Sequence, residues 1–180
     1  MEPCSRRTLM ISMRKPLCVF LAFASGLLAQ DASPRPRFDD FSVKQIFHGS
    51  TAAPKLVTQG QRMFRTMIRS GAKAEVEYAG HYTVPRWGCG TDCSQMVIVD
   101  SITGRVYDVP FSVVELPPAW EESHSAEDNE RMEFHPDSRL MKLNMCPNKQ
   151  DCGFYDYEMV DGKGLKLVRK QLLPKEYQSN

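Results

Sequence analysis

Hydrophobic and polar positions follow two rhythms along this chain. Over residues 56–72, Leu56, Gly60, Met63, Phe64, Met67 and Ile68 recur at the spacing of one helix face, with Arg62, Arg65 and Arg69 on the other. Gly71 suits the end of such a helix. The pattern predicts one amphipathic helix with its methionines in the core and its arginines in solvent. Beyond it the period falls to two, which predicts strands over 76–85, 95–100, 106–111, 139–144, 154–160 and 165–170. A first strand is expected at 41–47, where Phe41, Val43, Gln45 and Phe47 alternate with Ser42 and Lys44 and Ile46 breaks the alternation. Asp100-Ser-Ile-Thr-Gly-Arg105 and Asp161-Gly-Lys-Gly164 carry turn formers with glycine where a positive φ is needed. Strands joined by such tight turns pair antiparallel. The expected fold class is therefore α+β, one amphipathic helix packed on an antiparallel β-meander of about five to seven strands.

Residues 17–28 break both rhythms: LCVFLAFASGLL holds no charge, and Arg14 and Lys15 precede it. A basic start, a short apolar run and a small residue at Ala29 make a secretory signal over 1–29. Twelve apolar residues fall short of the roughly 20 that a membrane span needs, so no transmembrane anchor is expected after cleavage. Residues 1–12 read as an extension, since Met13 begins a tidier signal. Residues 30–37, with Pro34 and Pro36, form a flexible leader, and residues 38–180 a single globular domain.

Composition adds exclusions. With 42% hydrophobic and 25% charged residues among 180, the chain is of ordinary globular type. A net charge of +1 gives no basic field for nucleic acid. Cleavage would remove four of 23 bases (Arg6, Arg7, Arg14, Lys15) and one of 22 acids (Glu2), leaving 19 against 21. Charge is uneven within the remainder. Residues 112–138 hold eight acids and Arg131, and are expected as a mobile acidic loop. Residues 35–73 hold eight bases against Asp39 and Asp40, which suits either that loop or a charged partner.

Candidate chemistry is concentrated at 78–107. Four cysteines follow the signal: Cys89, Cys93, Cys146 and Cys152. An even count in an exported chain predicts two disulfides. The local pairs 89–93 and 146–152 are expected, with two cross-linked pairings as alternatives, and Gly90 relaxes the tight first loop. Trp87-Gly-Cys-Gly-Thr-Asp-Cys93, with Ala79-Gly-His-Tyr82 before it and Ile98-Val-Asp-Ser-Ile-Thr-Gly-Arg-Val-Tyr107 after it, resembles a family of uncharacterised secreted bacterial proteins. The resemblance implies export and this strand–turn order, and no activity. Asp92-Cys93-Ser94 also resembles the start of NlpC/P60 cell-wall peptidases. That resemblance would make Cys93 a nucleophile with His124 or His135 as base. Gln95 stands where that family has Gly, and a strand follows where it has a helix. His81, Tyr82, Arg86 and Trp87, at a strand end beside a rigid loop, are the candidate binding residues. There is no phosphate-binding glycine loop and no His-Glu-x-x-His, so neither cofactor nor metal is implied. The expected function is a secreted or periplasmic, non-enzymatic binding protein for an unknown protein or envelope component. The alternative is a cell-envelope cysteine hydrolase.

Overall fold

Met96-Val-Ile-Val99 is apolar without alternation, and a strand of that kind must be covered on both faces. The computed structural model, which describes residues 34–124 and 131–178, places this run at the centre of the molecule. Strand β1 (Tyr82–Thr83) and strand β2 (Arg86–Gly90) lie end to end along one edge of β3 (Cys93–Asp100). Their registers pair Tyr82 with Asp100 and Arg86 with Met96. Strands β4 (Val106–Asp108) and β5 (Val113–Val114) line the other edge, with Ile98 opposite Tyr107 and Cys93 opposite Val114. A second sheet runs β6 (Met132–Phe134), β7 (Leu140–Met145), β8 (Gly153–Val160) and β9 (Gly164–Leu172) as consecutive antiparallel neighbours.

The two sheets share a core. Met96, Ile98, Tyr107 and Val113 of the first cluster with Met141, Leu143, Met145 and Met159 of the second. The opposite face of β3 presents Val97 and Val99, which pack with Val106 against Ile68 and Ala72. A third cluster, Leu116, Trp120 and Leu173, surrounds Cys146 and Cys152.

The α+β class holds in its coarse form, with mostly strands, two antiparallel sheets and short helices. Details differ from the sequence expectation. The helix of 56–72 is two pieces, α1 (Gln59–Met63) and α2 (Arg65–Gly71), interrupted at Phe64. Thr58 caps α1, its Oγ1 accepting from Gln61 N–H at 3.1 Å while Gln61 Oε1 accepts from Thr58 N–H. This capping box starts the helix three residues later than its apolar stripe suggests. Met63 and Met67 are 66% and 46% exposed, so they are not core residues. The inward face of so short a helix is filled by Phe64 and Ile68. Arg62, Arg65 and Arg69 are exposed as expected.

Residues 41–47 form no strand; a 3-10 helix occupies Phe38–Phe41, and Ser42 makes one isolated bridge to Ser138. Of 76–85 only Tyr82–Thr83 is strand. Strands β2, β5 and β6 were not expected. The leader is docked where it is described: Arg35 donates to Asp156 Oδ1 from Nε at 3.1 Å and to Asn144 Oδ1 from Nη1 at 2.8 Å. Asp156 is fully buried, so this pair satisfies a charge that would otherwise be costly. Residues 112–138 are not loop throughout. Val113, Leu116 and Trp120 are buried, helix α3 (Pro118–Glu121) forms, and Arg131 pairs with Glu115. The signal at 1–29, the leader residues 30–33 and the acidic stretch 125–130 lie outside the described residues.

Candidate recognition face beside the helices

Both local disulfides are present, Cys89–Cys93 and Cys146–Cys152. The first closes the β2–β3 hairpin, where Gly90 takes φ +135. Its neighbour Trp87 turns back toward the helices, stacks on Phe64 at 4.8 Å between ring centroids and donates from Nε1 to Gln95 Oε1 at 3.1 Å. Around this pair lies a depression of about 370 Å³, walled by Phe64, Ile68, Trp87, Val97 and Phe111. Its polar groups are few: Gln61, Gln95, Asp108, Ser112 and Asn148. Small-molecule sites have this size and this balance of apolar wall and sparse polar groups.

A second, more polar depression of about 840 Å³ adjoins it and shares Gln61, Asp108 and Pro110. Gln61, 2% exposed, is the partition: its Nε2 donates to Asp108 Oδ1 at 3.0 Å and its Oε1 accepts from Val57 N–H at 2.8 Å. His81, Tyr82, Lys55, Arg105 and Lys163 border the larger depression. Asp100 belongs to the turn beneath it, with Oδ1 accepting from the N–H groups of Ile102 and Thr103 and Oδ2 from the Thr103 hydroxyl at 2.6 Å. The Asp-Ser-Ile-Thr-Gly motif is thus an aspartate-capped turn.

The four candidate binding residues are not one cluster. Trp87 borders the smaller depression and His81 the larger. Tyr82 is 1% exposed and belongs to the core, its hydroxyl donating to Asp161 Oδ1 at 2.9 Å. Burial, and secondarily that bond, push its pKa well above the usual tyrosine range. Arg86 points elsewhere, pairing with Glu77 at 3.2 Å and lying over the Phe134 ring.

The hydrolase residues have other partners. Cys93 Sγ is bonded to Cys89, and a disulfide sulfur is no thiolate. His124 stacks on Trp120 and its Nδ1 lies 2.9 Å from the Trp120 carbonyl oxygen. His135 stacks on Phe38 at 4.1 Å, with Nε2 3.3 Å from Glu133 Oε1. No group of three or more His, Cys, Asp or Glu side chains among the described residues is placed to hold a metal ion. No helix among them is long and apolar enough to cross a membrane.

Sequence reasoning missed Gln61, Phe64, Asp108, Lys55, Arg105 and Lys163. Only Gln61 carried a local signal, the Thr58-x-x-Gln61 capping pattern. No protein-family model, curated protein or solved structure matches the chain.

Proposed function

We propose that this chain is an exported, non-enzymatic binding protein whose recognition face is the pair of depressions on either side of Gln61. The observation that carries the reading is the Phe64–Trp87 wall. It is an aromatic stack left half-exposed beside sparse, oriented polar groups, on a hairpin cross-linked by Cys89–Cys93. Aromatic anchors on a rigid support are the usual carriers of recognition energy. Export to a periplasmic or extracellular location is supported by the 1–29 signal pattern and is compatible with two disulfides. The resemblance to secreted bacterial proteins agrees with this and adds no ligand.

Two measurements test it. Native protein treated with iodoacetamide should show no alkylated residue among Cys89, Cys93, Cys146 and Cys152; stoichiometric labelling of Cys93 would favour the hydrolase instead. The neutral aromatic probe N-phenylnaphthylamine should bind saturably, and Trp87→Ala should weaken it about tenfold, the value of one good aromatic contact. Absence of saturable binding would remove the proposal.

A further inference from the structure

Three cationic side chains border the larger depression. Lys55 and Lys163 have no side-chain hydrogen bond or ion pair among the described residues, and Arg105 only lies over the Tyr107 ring at 4.8 Å. The backbone sets two of them side by side. Gly104 has φ +73, and a Cβ there would fall 2.2 Å from the Ala53 carbonyl oxygen, so only glycine lets segment 52–55 lie on the 100–104 turn. Ala52 N–H then donates to the Ser101 carbonyl at 2.8 Å and Lys55 N–H to the Gly104 carbonyl at 2.7 Å. Lys55 and Arg105 become bridge partners. Neighbouring like charges oppose folding, and neither side chain has an ion pair among the described residues.

The carboxylates of the same depression are committed to neutral donors. Asp100 holds its turn, Asp161 accepts from Tyr82, and Asp108 accepts from Gln61. They balance the local charge, which disfavours a polyanion drawn by long-range attraction. They leave the N–H donors of Lys55, Arg105 and Lys163 for one short-range acceptor. Val57, Pro110 and Leu165 supply apolar wall beside them.

We infer that this depression takes a small amphipathic anion: one oxyanion, such as a carboxylate or sulfonate, on an apolar body. Lys55 and Arg105 hold the oxyanion, and Lys163 closes on it from the β8–β9 turn. The inference rests on the recognition face proposed above and names its ligand chemistry.

The test pairs two probes of similar aromatic body, anilinonaphthalene sulfonate and neutral N-phenylnaphthylamine, on the full mature chain. Lys55→Gln with Arg105→Gln should raise the sulfonate Kd about tenfold, the loss of about one charge-assisted hydrogen bond, and leave the neutral probe nearly unchanged. Lys163→Gln should act in the same direction, more weakly. All three residues are exposed, and near-ultraviolet circular dichroism should show the native fold retained. A sulfonate Kd unchanged by the double substitution, or no saturable sulfonate binding, would overturn the inference. If the neutral probe still binds in that case, the recognition face stands and only its anion specificity falls; if neither binds, both fall.

Discussion

The two faces of β3 differ in what covers them. Met96 and Ile98 face a second sheet, and the space between is filled by methionine, leucine and tyrosine to near-complete burial. Val97 and Val99 face two short helices that bury Ile68 and Ala72, but leave Met63 and Met67 exposed and the Phe64–Trp87 wall half open. A sheet covers a strand along its length, whereas the two short helices, Gln59–Met63 and Arg65–Gly71, interrupted at Phe64, cover Val97 and Val99. One face is thus built for stability and the other has room for a ligand. Substitutions on the first should cost folding energy, and on the second should mostly cost binding.

The largest effect is expected from Ile98→Ala, which empties a fully buried site between the sheets. Large-to-small changes of this kind cost about 2–5 kcal/mol, so urea unfolding should show its midpoint fall sharply. A loss below about 1 kcal/mol would mean the inner face is not the closed core described. Next comes the buried cross-link. Cys152→Ser removes a disulfide packed among Leu116, Trp120 and Leu173, and should cost about 2–3 kcal/mol. Cys93→Ser should cost no more than that, and its bond to Cys89, at an open hairpin tip, should be reduced first by dithiothreitol when both are followed by mass.

Alkaline pH should act through the same inner core. Burial holds the Tyr78 and Tyr82 hydroxyls far above the usual tyrosine range, and Tyr157 is pushed up to about 12. The unfolded chain loses these protons near pH ~10, so the stability they supply is complete below that pH. It falls as pH rises toward the folded values. A thermal melt series should decline from about pH 10 upward, and a flat profile there would contradict the burial of these phenols. The smallest stability change belongs to the outer face. Trp87→Ala gives up a stack on Phe64 worth about 0.5–1.5 kcal/mol beyond the area it buries, and should lower the melting temperature less than Ile98→Ala does while weakening probe binding.

These contrasts also explain what could be read from the chain. Strand β3, both hairpin turns and the last two strands were legible because their signals are local: an apolar run, an aspartate-glycine turn, a period of two. Cysteine count predicted two disulfides, and of three possible pairings the preferred local one is present. Strands β2, β5 and β6 were not legible, since each is five residues or shorter and none alternates buried with exposed positions. Met63 and Met67 misled because the apolar stripe is wider than the surface available to bury it. Of the candidate site, Trp87 and His81 were found by residue type beside a rigid loop. Lys55, Arg105 and Lys163 were not, because three separate chain segments meet there and Gly104 brings two of them together.

The claim that one face of β3 is closed and the other receptive is tested most directly by nuclear magnetic resonance during titration with N-phenylnaphthylamine. Saturable shifts of the Trp87 indole N–H and of the Gln61 and Gln95 side-chain amides are expected. The methyl groups of Met141, Met145 and Met159 should stay in place. Shifts centred on those buried methionines, or no saturable shift at Trp87, would contradict it.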